Sequence, residues 1–242
     1  MLNLDEQNAL RERYRESNPD WRPATELYAE LARKAILPVS RLLDLGCGRG
    51  GLVEQLEHPR PLMVGVDPDI RSLREHRLAA DMHPLPRVGV PTECLPFSRS
   101  SFDIVIASWL LEHLSDPATS FGEIGRVLKK GGVFLFLTPN RRHPLVNLNR
   151  VVGRLSGLQG AIVGQLYGRE RIDTFPAYYR ANTSRALERL AGAGCMRLAA
   201  LETVADPTYF ALRAGLFGLA TRIDSSLTSD RHIHLVGQMV RE

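Results

Sequence analysis

The sequence LLDLGCGRGG, residues 42–51, is the clearest indication of the fold, because an apolar run leads directly into a glycine-rich turn. Glycine lets the backbone turn tightly and lets a ligand come close to it. Gly46, Gly48 and Gly51 fit the G-x-G-x-x-G pattern of dinucleotide-binding proteins. Asp67 follows at the distance where an acid that binds ribose is expected. The pattern predicts a strand that ends in a nucleotide-binding loop.

Asp44 distinguishes between two kinds of ligand for this loop. It lies two residues before Gly46, at the end of the predicted strand. A carboxylate there would repel a pyrophosphate, whereas it would attract a cationic sulfonium ligand that also carries an amino group. The residue therefore favours a cationic ligand over a dinucleotide.

Apolar runs alternate with helical patterns along most of the chain. Two helices are predicted in residues 1–36, and the other predicted helices are Leu52–Glu57, Ile70–Ala80, Pro117–Leu128, Thr183–Ala193 and Tyr209–Ala220. The predicted strands are Arg41–Leu45, Leu62–Val66, Arg87–Val90, Phe102–Ala107, Val133–Leu137, Met196–Glu202 and His232–Val240. This alternation predicts an α/β, Rossmann-like three-layer sandwich, with helices on both faces of a mostly parallel seven-stranded sheet.

The length of the chain fits one domain. Domains commonly contain about 100–200 residues, and the sequence has 242. We expect residues 1–40 to form an N-terminal helical arm. The regular pattern is lost in residues 141–182, which contain several glycines and arginines, and we expect a lid-like insertion there.

The composition is that of an ordinary globular protein, with 44% hydrophobic residues and a formal net charge of +4. The three cysteines are odd in number and lack C-x-x-C spacing, so the sequence predicts neither a disulfide framework nor a metal site. No leader pattern is found, and no run approaches the roughly 18 apolar residues of a membrane span. These features predict a soluble, cytoplasmic protein.

Five segments of the chain resemble the class I S-adenosylmethionine-dependent methyltransferases, particularly the group that includes quinone-biosynthesis and related small-molecule enzymes. The segments are LLDLGCGRG (42–50), VGVDPD (64–69), ECLPF (93–97), SFDIVIASWLLEHLSDP (101–117) and RVLKKGGVFLFLTPN (126–140). They occur in the order found in that family. The resemblance implies transfer of a methyl group from S-adenosylmethionine to a small molecule.

The resemblance also implies a set of cofactor-binding residues. The glycine loop would hold the methionine part of the cofactor, Asp67 its ribose, and the residues before Leu-Pro-Phe its adenine. Relatives commonly have an aspartate where this chain has Pro91, so adenine recognition would pass to Thr92 or Glu93. Glu93 could equally be a solvated loop residue, and Cys47 a small space-filling one. The implied set is Asp44, Gly46, Cys47, Gly48, Asp67, Pro68, Thr92, Glu93 and Ser108.

His113 is the candidate catalytic residue. Methyl transfer to an oxygen or carbon acceptor can use a base that removes a proton, and histidine suits that role near neutral pH. Some quinone O-methyltransferases carry a metal-linked Glu-x-x-Glu-His pattern here, but this chain has Trp109 in place of the first glutamate, so no metal is expected. The alternative is a structural histidine at a helix end, hydrogen-bonded to the backbone.

The insertion and its flanks contain the candidate acceptor-binding residues. His143, Tyr178, Tyr179 and Arg180 could line an acceptor pocket, although each could instead be a packing or surface residue. Residues 141–189 contain nine arginines and three acids, which accounts for the whole positive excess of the chain. This excess favours an acidic acceptor or peripheral contact with an anionic membrane, with a solvated surface as the default explanation.

Two features of the C-terminal part are interpreted as structural. His232 and His234 alternate on a predicted strand and therefore share a face. The predicted helix Tyr209–Ala220 has a wide apolar surface, which is typical of a helix that covers the core. A surface of that width would also permit binding of an apolar acceptor.

Two other functions compete with methyl transfer. An NAD-dependent oxidoreductase would need a Tyr-x-x-x-Lys or similar hydride-transfer motif, and none of the three lysines has a tyrosine four residues before it. A non-catalytic relative that only binds the cofactor is supported by the altered adenine segment alone. Nucleic acid is not an expected partner, because no basic tail or aromatic-basic pattern occurs. The sequence does not indicate the oligomeric state.

Overall fold

The computed structural model describes residues 4–51, 62–76, 86–148, 150, 175–211 and 214–242. Its described strands form one seven-stranded sheet in the order β3-β2-β1-β4-β5-β7-β6. They are β1 (Arg41–Leu45), β2 (Leu62–Val66), β3 (Arg87–Val88), β4 (Phe102–Ser108), β5 (Leu128–Pro139), β6 (Met196–Val204) and β7 (His234–Arg241). Strands β1 to β5 pair in parallel, and β7 pairs antiparallel with both β5 and β6. The predicted α/β fold is confirmed.

Six helices have defined bounds, and residues 144–148 are helical as well. The six are α1 (Leu4–Ser17), α2 (Ala24–Ala35), α3 (Ile70–Arg74), α4 (Pro117–Val127), α5 (Ser184–Ala193) and α6 (Phe217–Ser225). Helix α4 begins where the Asp116 carboxylate accepts hydrogen bonds from the backbone N–H groups of Ala118 and Thr119. Helix α5 is capped by Thr183 in the same way. Both starts are where the sequence predicts them.

The alternation of side chains along the strands divides the core into two layers. Leu43, Val105 and Phe134 pack on one face of the sheet, together with Phe121 of α4 and Leu187 of α5. The intervening strand residues face the opposite layer and pack against α2. Residues of the second layer are Leu27, Tyr28, Ala32, Leu42, Ile104, Ile106, Leu135 and Leu137. This burial on both faces explains the continuous apolar runs of the central strands.

The C-terminal region differs most from the prediction. A single helix over Tyr209–Ala220 is wrong: Pro207–Tyr209 and Ala214–Leu216 are short 3₁₀ turns, and the α-helix begins at Phe217. The physical reason is the Asp206 side chain, which accepts a hydrogen bond from the N–H of Thr208 and starts a separate turn. Strand β7 begins at His234, so His232 lies before the strand rather than on it.

Several other bounds also differ from the prediction. Strand β5 begins at Leu128, so the predicted last residue of helix Pro117–Leu128 lies in the strand instead. Strand β3 is shorter than predicted and ends at Val88. The predicted helix Leu52–Glu57, the end of the predicted helix Ile70–Ala80 and most of the predicted insertion lie outside the described residues.

Candidate functional site

The glycine loop after β1 has a backbone conformation that favours glycine. Gly46, Gly48 and Gly50 have φ angles of 70°, 51° and 107°, which L side chains rarely adopt. The N–H groups of Gly46 and Cys47 donate to the carbonyl oxygen of Val66 in β2 at 2.8 and 3.2 Å. The loop is therefore fastened across the carboxyl ends of two neighbouring parallel strands, where α/β folds bind ligands.

Asp67 lies at the end of β2 with its carboxylate held against this loop. One oxygen accepts from the N–H of Gly48 at 3.0 Å, and the other accepts from the N–H of Asp69 at 2.8 Å. Burial raises the pKa of Asp67 above its ordinary value, and the two N–H groups oppose that rise. The carboxylate is thereby fixed in orientation at the edge where a ribose would lie.

Asp44 is the second carboxylate of the site, and it is buried at the end of β1. Tyr28 of α2 is also buried beside it, and burial followed by the charge of Asp44 raises the pKa of Tyr28 well above its ordinary value. The phenol therefore stays protonated. The N-terminal arm thus contributes Tyr28 directly to the site.

A cavity of about 940 Å³ opens along the carboxyl ends of β1, β2, β4 and β5. All the residues predicted to bind the cofactor line it, and so do three of the candidate catalytic and acceptor residues. The predicted residues that line the cavity are Asp44, Gly46, Cys47, Gly48, Asp67, Pro68, Thr92, Glu93, Ser108, His113, Tyr178 and Tyr179. The structure therefore brings the dispersed motifs into one site.

Two predicted acceptor residues are not among the described residues that line the cavity. His143 is fully buried, and its ring packs on Phe210 with centroids 5.0 Å apart. Arg180 is exposed, donates to the carbonyl oxygen of Ser115 and lies over the Tyr178 ring. His143 is thus a packing residue in this structure, and Arg180 a surface one.

The segment expected to face adenine is Pro91-Thr92-Glu93, and all three residues line the cavity. Pro91 stands where relatives commonly have an aspartate. Pro91 contributes no N–H, while Thr92 is buried and Glu93 is half-buried. The carboxylate of Glu93 is 3.4 Å from the Ser115 hydroxyl, which donates to it. Thr92 and Glu93 are therefore the polar side chains of this segment that a ligand can reach.

His113 ends a 3₁₀ turn over Leu111–His113. Its Nδ1 is 2.9 Å from the carbonyl oxygen of Pro176, and a carbonyl only accepts, so Nδ1 carries the proton. In the neutral ring Nε2 is then the basic nitrogen. The backbone hydrogen bond of the structural alternative is present, and Nε2, the nitrogen that could take a proton, lies 4.0 Å from Oε1 of Glu112.

Glu112 is a buried carboxylate of this site that sequence reasoning missed. Its carboxylate accepts from the Thr138 hydroxyl at 3.0 Å, and that hydroxyl accepts from Asn182 at 2.6 Å. Its carbonyl oxygen accepts from the N–H groups of Tyr178 and Tyr179 at 2.7 and 3.1 Å. These bonds tie the end of β5 and the Tyr178–Tyr179 segment to the turn that carries His113.

Two residues with side chains are held in the left-handed region at this site. Trp109 has a φ of 56° and Tyr179 a φ of 52°, and both line the cavity. The N–H of Trp109 donates to the carbonyl oxygen of Leu137 at 2.9 Å. Such conformations cost on the order of 1–3 kcal/mol and are concentrated at functional sites.

The sequence interpretation also missed cavity residues that come from distant parts of the chain. The missed lining residues include Thr25, Tyr28, Trp109, Glu112, Arg150, Tyr209, Ile233 and His234. The only signals in the sequence were the Glu-His pair and two histidines, His232 just before β7 and His234 at its first residue. Neither signal specifies a position in a cavity, because that depends on strand pairing.

Some properties of the surface bear on the predicted partners. Arg154, Arg169 and Arg171 of the basic stretch lie outside the described residues. Within the described part of the chain, no helix is long and apolar enough to cross a membrane. The same residues contain no cluster of three or more His, Cys, Asp or Glu side chains arranged to hold a metal ion.

Residues 43–136 match the protein family described as "Methyltransferase domain". The ubiquinone biosynthesis O-methyltransferase of Rhodopseudomonas palustris (strain HaA2) is 33% identical over 104 residues, which are 42% of this chain and 40% of that protein. The chain therefore spans less than half the length of this curated relative.

Two solved structures share the fold over 90% of this chain. The geranyl diphosphate C-methyltransferase of Streptomyces coelicolor A3(2), in complex with Mg²⁺, geranyl diphosphate and S-adenosyl-L-homocysteine, has a TM-score of 0.60, 16% identity and 80% of its own chain covered. The [4+2]-cyclase SpnF has a TM-score of 0.59, 18% identity and 81% of its chain covered. The chain thus shares the α/β fold of these structures, and residues 43–136 are similar to a methyltransferase domain.

Proposed function

We propose that this protein transfers a methyl group from S-adenosylmethionine to an oxygen or carbon atom of a small molecule. The observation that carries the proposal is the single cavity in which the glycine loop, Asp44 and Asp67 meet His113. Two carboxylates beside a glycine loop suit a ligand that has a sulfonium, an amino group and a ribose. The NAD-dependent alternative is not retained, because the matched family and the curated relative are methyltransferases.

Each part of the cofactor has a fitting group in the cavity. Asp44 would attract the amino group and the sulfonium, and the left-handed glycines leave room for the methionine part against the backbone. Asp67 would accept hydrogen bonds from the ribose hydroxyls, since its two oxygens are already oriented by N–H groups. Thr92 and Glu93 would contact the adenine in place of the aspartate that Pro91 replaces.

The chain's contribution to the chemistry is orientation and proton removal. Bound S-adenosylmethionine supplies an electrophilic methyl group, which is attacked in line by the acceptor while the sulfur keeps the bonding electron pair. Orienting two reactants in this way supplies a large part of the rate enhancement. Nε2 of His113 would take the acceptor's proton, because Nδ1 already donates to Pro176.

An oxygen acceptor is favoured over a carbon one. The sequence relative is an O-methyltransferase, and hydroxyl acceptors benefit most from a positioned base such as His113. Arg150 also lines the cavity, and its charge supports an acceptor that carries an acidic group. We propose an oxygen acceptor with such a group.

We further propose that residues 1–242 act as one domain in the cytoplasm, with residues 1–40 as its arm and 141–182 as its lid. Contact of the arm with the site through Thr25 and Tyr28 supports the single domain. None of the three cysteines forms a disulfide, which fits a reducing compartment.

Methyl transfer is tested by incubating the purified protein with isotopically labelled S-adenosylmethionine and a small-molecule extract, followed by mass spectrometry. We expect labelled methyl to appear in a small oxygen-containing product. Asp67→Ala is the test variant. Asp103→Ala is its matched control, since Asp103 lies at the opposite end of the strands and pairs with Lys129. Labelling that persists unchanged in Asp67→Ala, or none with the unmodified protein, would contradict the proposal.

A further inference from the structure

Residues 91–97 form the wall of the cavity expected to face adenine, and they lie outside the strands and helices. The N–H of Cys94 donates to the carbonyl oxygen of Pro91 at 3.2 Å, which closes a tight turn. Thr92 and Glu93 are the two central residues of this turn, and both line the cavity. Buried backbone groups outside strands and helices need hydrogen-bond partners from other parts of the protein. The position of the turn therefore depends on what binds the residues next to it.

Those partners come from Glu123 and Arg126, which lie one helical turn apart on α4. Oε2 of Glu123 accepts from the N–H of Leu95 at 2.9 Å. Nη2 of Arg126 donates to the carbonyl oxygen of Leu95 at 2.9 Å, and Nη1 donates to that of Phe97 at 2.6 Å. Both backbone polar groups of Leu95 are thus bound by Glu123 and Arg126, and we call this pair the α4 clamp.

The two side chains of the α4 clamp also bind each other. Nε and Nη2 of Arg126 donate to the two carboxylate oxygens of Glu123 at 2.6 and 2.8 Å. Such a paired contact fixes the orientation of both groups. Hydrogen bonding to Arg126 lowers the pKa of Glu123 below its ordinary value, so the carboxylate is charged at physiological pH. The α4 clamp therefore holds the Leu95 backbone with two side chains that fix one another.

The α4 clamp acts close to the cavity without lining it. Leu95 is buried in the core, and it follows Glu93 by two residues. The ring of Phe97 packs edge-on against Phe102, with centroids 5.0 Å apart. Glu123 and Arg126 are not among the described residues that line the cavity. Any effect of the α4 clamp on a bound ligand would therefore pass through the turn.

We propose that Glu123 and Arg126 are positioning residues for adenine recognition. By fixing the Leu95 backbone, they hold Thr92 and Glu93 where these side chains can select adenine over other bases. This chain depends on the turn because Pro91 has neither a carboxylate nor an N–H with which to contact the base. The inference rests on the proposed function, because it concerns recognition of the proposed cofactor.

The chemistry of Glu93 provides a pair of ligands for the test. A carboxylate accepts a hydrogen bond from the amino group of adenine. Hypoxanthine has a carbonyl oxygen at that position, which cannot donate to a carboxylate, and a site with an unpaired polar group rejects such an analogue. S-adenosylhomocysteine and S-inosylhomocysteine differ in this way and share the ribose and the homocysteine part. The ratio of their Kd values therefore measures recognition of the base alone.

Both ligands are titrated by calorimetry. The unmodified protein should bind S-adenosylhomocysteine about tenfold more tightly than S-inosylhomocysteine. Arg126→Lys keeps the charge but loses the planar group that reaches two carbonyl oxygens. It should raise the Kd of S-adenosylhomocysteine about fivefold to tenfold and leave that of S-inosylhomocysteine within about twofold. Arg241→Lys is the matched control, because Arg241 also donates to a backbone carbonyl oxygen, that of Leu128, and it should change neither value.

A merely structural role would weaken both ligands by the same factor, and no role would leave both unchanged. Either result in Arg126→Lys overturns the inference, as does equal binding of the two ligands by the unmodified protein. Glu123→Gln is a second test should Arg126→Lys fold poorly, since it keeps an oxygen that can accept from Leu95. It should lower the ratio roughly threefold, and an unchanged ratio would contradict the inference. Failure of the proposed function is separate, because neither ligand would then bind the unmodified protein.

Discussion

The two ends of the cavity are built in different ways. The cofactor end is formed by the glycine loop, Asp44 and Asp67, and its shape depends on backbone conformation and backbone hydrogen bonds. Another part of the cavity, which we call the aromatic end, is lined by Trp109, Tyr179, Tyr209 and His234. These side chains come from four segments, and packing brings Trp109 and Tyr209 against His234. A backbone site can be specified by consecutive residues, whereas a packed site requires the whole sheet.

The largest effect is expected from a change in the backbone of the cofactor end. In Gly46→Val the new Cβ would lie 3.1 Å from the Leu110 side chain at a φ of 70°, which is severely unfavourable for a β-branched residue. We expect binding of S-adenosylhomocysteine to weaken at least 100-fold by calorimetry. Gly122→Val is the control, because a Cβ there meets nothing within 4 Å. Equal binding by the two variants would show that the loop does not hold the cofactor.

The second prediction separates chemistry from cofactor binding. His113→Gln should lower kcat roughly 100-fold or more, which is the usual contribution of a positioned base. Because His113 lies outside the glycine loop, the Kd of S-adenosylhomocysteine should stay within about twofold. His232→Asn is the comparison, since His232 is not among the described residues that line the cavity. A kcat that stays near that of the unmodified protein would show that His113 is a structural residue and not the base.

The cofactor end was largely predictable from the sequence. The loop, Asp67 and Ser108 occupy fixed spacings after predicted strands, and strand alternation alone places strand ends at one edge. The starts of α4 and α5 were predictable from Asp116 and Thr183, because capping is a local interaction.

The aromatic end could not be predicted because its contacts are not local. His234 reaches the cavity through its antiparallel pairing with Pro139, the last residue of β5. Tyr209 does so because Asp206 starts a separate turn and thereby interrupts the predicted helix. Both positions depend on the placement of β7 between β5 and β6, where it pairs antiparallel with each. From the sequence, His234 could only be interpreted as a structural strand residue.

The third prediction uses the buried histidines near the aromatic end. Burial lowers the pKa of His143 and of His234 to about 4 from 6.5. The unfolded chain therefore binds more protons between pH 6.5 and 4, and stability should fall as the pH falls through that window. Each histidine should account for about 2 kcal/mol of the loss between pH 7 and pH 5.

This loss is measured by urea unfolding at pH 7 and pH 5. His143→Leu should reduce the loss in unfolding free energy by roughly 2 kcal/mol, the share of one histidine. Its effect should change by only about 0.1–0.2 kcal/mol between pH 7 and pH 8, because the unfolded histidine is already mostly neutral there. The same loss in the variant and in the unmodified protein would mean that His143 is not the cause.

The smallest effect is expected for a conservative change at the cofactor end. Asp67→Asn keeps one oxygen acceptor but loses the charge, and it should weaken binding of S-adenosylhomocysteine about tenfold, the effect of losing one hydrogen bond to a charged group. Asp103→Asn is the matched control at the opposite end of the strands and should bind normally. Tenfold weakening in both variants would indicate a general electrostatic effect instead of ribose recognition.

The central claim is that the glycine-loop cavity binds the methyl-donor cofactor. Calorimetric titration of the unmodified protein with S-adenosylhomocysteine tests it most directly, since no acceptor needs to be known. We expect saturable binding of one molecule per chain, with a Kd in the micromolar range. A titration that shows no binding at millimolar concentration would contradict the claim.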